Sequence, residues 1–467
     1  MGELYFGGEI YTVDDNSPRA EAVAVRDGTI VAVGSEADCR RVLGKVYQPI
    51  DLKGRALLPG FIDTHLHPVL MIFFSMNIDL RGIGSIKDLQ DRIGDKARSD
   101  TSNGWIVGLK FNEQGLNEPR LPTRYDLDAA CPDRPVIVIK HDGHMIIANT
   151  RAIEASGVST STGDPEGGVI EREPGGYPAG AFIENATRLL LSAMPPPEMK
   201  ALVSGAKQTF GKLTAQGITS VGTVLQTEGE GPAGSSGAFD VLVMQMLLEH
   251  IPINLYGLLI ANDLSKVEEA RKTFLHQPEV GKRWIGGVKL FSDGTFGSAT
   301  AYMSEPFSDQ PDKTGFLVHS EEEIYRRMVA AHRADLQIAI HAIGDRANRI
   351  CIDLYERLLS EYPLNHRHRL EHASLLNADI VEDIARLGLI VSAQPQFIHS
   401  EKDWLPRRLG PERTKWTYPF RSLIDAGVRV VGASDAPVES TDVLHSIQCC
   451  VTREGFEPEQ AITAAEA

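Results

Sequence analysis

A chain of 467 residues, 42% hydrophobic and 24% charged, is too long for one small domain and holds enough apolar material for a large domain with a smaller companion. Its net charge of −16 argues against nucleic acid or an anionic membrane surface as a partner. Five cysteines, two of them adjacent and none in a CxxC pair, exclude a disulfide framework and point to a reducing cytoplasm, and neither a leader peptide nor an apolar run of bilayer length is visible.

Residues 4–58 alternate short apolar runs (9–13, 22–25, 29–33) with turns at residues 14–18 and 26–28. This pattern predicts a small antiparallel β unit, placed at residues 1–58. After Pro59 the rhythm becomes strand, loop, amphipathic helix. Strand-like apolar runs fall at residues 61–63, 218–221, 253–260, 285–291, 337–340, 369–372, 389–393 and 428–432. Helical periods lie between them at 199–215, 263–275, 321–334, 346–361 and 378–387. Near-continuously apolar strands alternating with helices predict a parallel sheet covered by helices. Eight such strands fit an α/β (β/α)8 barrel of TIM type over residues 59–467. A doubly wound open sheet is the structural alternative. The interval between the first two strands, about residues 78–200, exceeds what a βα connection needs. With its own strand candidates at 104–110 and 135–140, it predicts an inserted α/β subdomain on the substrate side.

The chemistry-bearing residues sit at strand ends. His65 and His67 stand at i and i+2 at the end of the first strand, so their side chains leave one face. At a barrel mouth two imidazoles suit one divalent metal ion. Alone, such a pair is more often two hydrogen-bonded core histidines. Three further apolar runs, however, end in His341, His372 and Asp435. Four histidines and an aspartate at strand ends of one barrel make a metal centre the better reading. Asp435 could both ligate the metal and take the proton of the activated water, passing it to the leaving nitrogen. Its bland alternative is a turn aspartate before Pro437. Lys289, near the end of the fourth strand, would be unfavourable as an ammonium beside a cation. Carboxylated by CO2, it would be an anionic ligand able to bridge two metals; otherwise it pairs with an acid such as Asp293.

These residues, with the ordered motifs Gly8–Val13, Ala22–Gly34, Leu58–His67, Asp142–His144, Asp164–Gly168, Val288–Gly294, His341–Asp345, Glu371-His372 and Ser434–Pro437, resemble the amidohydrolase superfamily. More narrowly, the chain is similar to its YtcJ-like branch, which includes N-substituted formamide deformylase. The resemblance implies a barrel joined to a small β-sandwich built from both chain ends. It also implies one or two metal ions, usually zinc: His65, His67 and Asp435 would hold the more buried ion, and His341 and His372 the second. Lys289 falls where the superfamily carries its bridging carboxylated lysine. His144 falls in a substrate-side segment, where it could polarise the scissile carbonyl or be structural. Members of the family continue past the last barrel strand into further sandwich strands, whereas residues 459–467 fall inside the helix before them. Those strands are therefore expected beyond this sequence, or the sheet's face is covered by other means such as a homodimer.

The expected activity is hydrolysis of a C–N bond, amide or N-formyl, in a small organic substrate. A cyclic amide, ester or carbamate could be cut by the same site. A non-catalytic regulatory protein on this scaffold is the rival from another class; loss of a ligand would favour it, and none is lost.

Overall fold

The computed structural model describes residues 2–100, 104–113, 116–118, 120–140, 145–227, 237, 239–274 and 282–467. They fall into two compact units, one of Met1–Leu66, Leu213–Val224 and Ile253–Ala467, the other of His67–Lys212 and Leu225–Pro252.

The first unit opens with a five-stranded sheet centred on Gly2–Tyr11. Arg19–Arg26 and Thr29–Gly34 form a hairpin whose two-residue loop, Asp27-Gly28, has both φ angles positive (51° and 76°). That is the tight turn expected of an Asp-Gly pair. The sheet is not purely antiparallel, as the alternation alone predicted. Helix Glu36–Leu43 intervenes and carries the chain back, so Tyr47–Asp51 joins Gly2–Tyr11 in parallel. Ser35 caps that helix by accepting from the Asp38 amide at 3.1 Å, and Cys39 and Leu43 pack on Leu4, Ala22 and Ala24. Among the described residues this region is one sheet with a helix on one face.

The rest of the first unit is a nearly closed TIM-type barrel. Its eight parallel strands run in chain order: Phe61–Leu66, Ile218–Gln226, Asn254–Ile260, Arg283–Phe291, Gln337–Ala342, Arg369–His372, Ile390–Ala393 and Arg429–Gly432. An open doubly wound sheet would leave its outer strands apart. Here the first and eighth meet: Leu66 bridges Ala436, the Asp435 amide donates to the His65 carbonyl at 2.8 Å, and Thr64 Oγ1 donates to the Gly432 carbonyl at 3.0 Å. Every residue of the sixth and seventh strands is buried, as strands covered on both sides require. The packing helices carry legible ends. In Ala378–Leu387, Asn377 caps the start, Gly388 ends it at φ 66°, and Ile380, Val381 and Ile384 face inward.

The second unit holds a six-stranded sheet in the order Gly168–Arg172, Pro178–Glu184, Met145–Ala148, Val136–Lys140, Ile106–Phe111, Ile78–Asp79. Leu89, Ile93, Phe111 and Leu127 form the core on one side of it, and Ile137, Ile146, Phe182 and Leu190 a core on the other. The interval expected as an insert lies within this unit, which also takes in Leu225–Pro252. Among the described residues no helix is long and apolar enough to cross a membrane.

Candidate metal centre

At the carboxyl ends of the barrel strands the fold brings together His65, Lys289, His341, His372 and Asp435, all buried. One donor atom from each of His65, His372 and Asp435 lies within 4.8 Å of the others. The rings of His65 and His372 are 5.4 Å apart, and those of His372 and His341 are 4.5 Å apart. His67 stands one residue past its strand, where helix Pro68–Met76 of the second unit begins. It is buried, as is Asp240 of the same unit. His144 lies outside the described residues.

Each of the three clustered imidazoles has one nitrogen committed to an acceptor. His65 Nδ1 donates to the Glu371 carboxylate, His372 Nδ1 to Gln394 Oε1 at 2.8 Å, and His341 Nε2 to the Gly294 carbonyl at 3.0 Å. A carboxylate or carbonyl can only accept, so each ring carries its proton there and presents a lone pair from its other nitrogen. His65 Nε2 lies 3.3 Å from Asp435 Oδ1. Ligands about 2.0–2.1 Å from a tetrahedral ion stand about 3.3 Å apart, which matches this separation. The donor set fits a divalent metal.

The electrostatics agree. Burial lowers the proton affinity of all three imidazoles, His372 to about 4 and His341 well below the usual value, so they are neutral and ready to ligate. Burial alone would raise the Glu371 carboxyl, but the adjacent Arg369 guanidinium and His65 outweigh it and hold the group ionised. Burial brings the Lys289 amine down to about 8, against the pull of Glu371 and Asp435; its Nζ sits 4.2 Å over the Phe291 ring. Asp293, the alternative partner for Lys289, instead uses its carboxylate to accept from the amides of Tyr302, Ile343 and Gly344 at 2.8, 3.1 and 2.9 Å. It thereby ties down the loops on either side of His341.

Several supporting residues escape a strand-end search. Asp63 Oδ1 accepts from the amides of His65 (3.2 Å) and Ser434 (3.1 Å), binding the first strand to the Asp435 loop. Glu371 and His372 both reach His65, although consecutive strand residues normally point to opposite faces. The alternation breaks because His372 takes a left-handed backbone, φ 72°; Asp435 does so too, at φ 55°. Non-glycine residues adopt that region at a cost of about 1–3 kcal/mol, typically at functional sites. A glutamate immediately before a strand-end histidine was the sequence signal for Glu371; for Gln394 it was only its place just past a strand. A separate cavity of about 650 Å3 opens at the amino ends of the strands, lined by Tyr256, Trp284, Gln337, Arg367 and Arg369. It holds none of the clustered histidines.

Comparison with known proteins agrees with this geometry. Residues 48–467 match the model of the "Amidohydrolase family". The chain is 32% identical to "Putative amidohydrolase YtcJ" of Bacillus subtilis (strain 168), over 97% of this chain and 84% of that one. It is 28% identical to N-substituted formamide deformylase of Arthrobacter pascens, over 99% and 87% of the two chains. Among solved structures, an uncharacterized metal-dependent hydrolase from Pyrococcus furiosus superposes with a TM-score of 0.79 at 27% identity, covering 100% of this chain and 92% of that one.

Proposed function

The chain belongs to the amidohydrolase family and is a hydrolase supported by a divalent metal, and from that premise we propose that it cleaves a C–N bond, amide or N-formyl, of a small organic substrate. The observation that carries the reading is the buried trio His65, His372 and Asp435, each offering one donor atom within 4.8 Å of the others at the carboxyl ends of the barrel strands. We assign His65, His67, His372 and Asp435 to the primary ion, with zinc as the expected metal. His341, together with Lys289 in its carboxylated form, would hold a second. A bound divalent cation supplies Lewis acidity and activates water.

The protein's own groups do the rest. Asp435 takes the proton of the attacking water and hands it to the leaving nitrogen. Glu371 and Gln394 hold the imidazoles in the ligating tautomer. His144 is proposed to polarise the scissile carbonyl. The similarity to a formamide deformylase supports the N-formyl end of the substrate class, and the acidic net charge of −16 supports a small-molecule rather than a nucleic-acid partner in the cytoplasm.

A panel of N-formyl and N-acyl amines, cyclic amides, esters and carbamates tests this, assayed on chelated and zinc-restored protein. Chelator-sensitive turnover of an amide or formamide, abolished in His65→Ala, is expected. Turnover confined to esters or carbamates would move the substrate class but keep the site. Turnover that survives both chelation and His65→Ala would refute the site. Intact-mass analysis for a carboxylated lysine and a metal count of two, against one with Lys289 unmodified, decides the binuclear form.

A further inference from the structure

A second group of metal-type side chains is assembled away from the cluster just described. His399 lies on helix Phe397–Glu401, His445 in the first turn of helix Val443–Thr452, and Glu454 just past that helix's end. One donor atom from each lies within 4.8 Å of the others. His399 Nδ1 is 2.9 Å from both Glu454 oxygens, and His445 Nε2 is 3.4 Å from Oε1. The two rings are nearly perpendicular, at 77°, with centroids 4.9 Å apart. Around a tetrahedral zinc ion, ligand atoms stand about 3.3 Å from one another. The His–Glu454 separations differ from that by about 0.4 Å or less; without an ion they are hydrogen bonds from the imidazoles to the carboxylate, and an entering ion displaces those protons.

The backbone is built to hold this carboxylate in place. Arg453 and Glu454 both sit in the left-handed region at φ 50°. This turns Glu454 back toward a histidine nine positions earlier on the chain. The turn is anchored by the buried Arg453 guanidinium, which donates to the carbonyls of Phe456, Tyr418 and Thr417 at 3.0, 2.7 and 3.2 Å. The Glu454 amide donates to Thr452 Oγ1 at 3.2 Å. A softer donor is close: Cys449, one helical turn after His445, has its Sγ 4.0 Å from Glu454 Oε1. The His399 side chain is 52% exposed, so an ion has a way in.

We propose that His399, His445 and Glu454 form a second metal-binding site, selective for a borderline transition-metal ion such as zinc or copper(II). Two imidazoles and one carboxylate, with a thiol nearby, suit those ions, whereas magnesium and calcium prefer all-oxygen sites. Lys402 is the built-in competitor. Its ammonium pairs with Glu454 Oε2, which His399 also contacts, while Oε1 faces both histidines. Removing it takes away a positive charge that opposes metal entry.

The test is a copper(II) titration of protein whose barrel centre has first been filled with zinc, followed by electron paramagnetic resonance and by zinc analysis of the same sample. One further equivalent of copper with a two-imidazole nitrogen pattern is expected, with the zinc retained. Affinity should fall at least tenfold in His445→Ala and rise severalfold in Lys402→Met, which keeps all three ligands and removes only the ammonium paired with Glu454; circular dichroism of both variants matched to the parent checks folding. Copper that displaces zinc mole for mole, or identical isotherms for the parent and both variants, would overturn the proposal.

Discussion

The barrel holds two groups of histidines, and they differ in what their second nitrogens do. At the mouth, His65, His341 and His372 each give one nitrogen to an acceptor, and His65 turns the other toward Asp435 Oδ1. Toward the opposite end, around the amino ends of the strands, His332, His366 and His368 leave nothing free. His368 Nδ1 accepts from the Ile338 amide at 3.1 Å, so its Nε2 donates to His332 Nδ1 at 2.8 Å, and His332 Nε2 donates in turn to the Tyr362 carbonyl at 2.8 Å. His366 accepts from the His368 amide at 3.2 Å and donates to the Leu387 carbonyl at 3.0 Å. Six nitrogens, six partners: this group is structural. Residue type is the same in both places and burial is similar, with only His366 partly exposed, so the hydrogen-bond partners distinguish a ligand from a strut.

If that contrast is right, substitutions at the mouth should affect turnover and metal far more than folding, and those at the opposite end the reverse. The largest effect is expected for Asp435→Asn, which keeps the shape but removes the proton acceptor. Turnover of the best substrate should drop about 10²–10⁴-fold, with the melting temperature of the metal-free protein little changed. A variant that kept more than a tenth of parental turnover would remove Asp435 from the proton path. Next comes Glu371→Gln, which replaces a pure acceptor on His65 Nδ1 with a group that can also donate. Metal affinity, measured by competition with a chromophoric chelator, should fall about 10–100-fold. Unchanged affinity would mean that the tautomer of His65 is set by something other than Glu371.

How much of this was legible in the chain follows from the same contrast. The barrel was readable because parallel strands buried on both faces write long apolar runs, and the eight runs anticipated at residues 61–432 lie on the eight strands observed. His65, His341, His372 and Asp435 were legible as candidates because each stands at or just past the end of such a run, with Lys289 two residues short of one, and the nearly closed barrel buries all five at its mouth. Glu371 as the orienting acceptor was not, since strand alternation would put it and His372 on opposite faces, and only the left-handed backbone at His372 brings both inward. Asp63 was hidden for another reason. Its partners are the backbone amides of His65 and Ser434, separated by most of the chain, and no local pattern records so distant a pairing. The parallel pairing of Tyr47–Asp51 with the first strand was likewise masked by helix Glu36–Leu43, whose short period sits between strand-like runs.

The smallest expected effect probes the fully paired group through pH. Burial, reinforced by the neighbouring His366 and His332, depresses His368 to about 3 in the folded state, against about 6.5 in the unfolded chain. Between those values the unfolded chain binds a proton that the native state refuses, so stability is full above about pH 6.5 and is lost as pH falls toward 3. The slope approaches about 1.4 kcal/mol per pH unit for this one group. His368→Gln removes the titration but also disturbs the bonds to Ile338 and His332, which should cost about 1–3 kcal/mol at neutral pH. Urea unfolding of metal-free parent and variant at a series of pH values separates the two effects, because acid-labile carboxylates elsewhere contribute equally to both proteins. The stability gap between them should narrow as pH drops from 6.5 to 4, since only the parent loses the histidine contribution. Parallel curves would show that His368 titrates alike in both states, and the hydrogen-bonded chain through His332 would then lose its claim to hold that ring neutral.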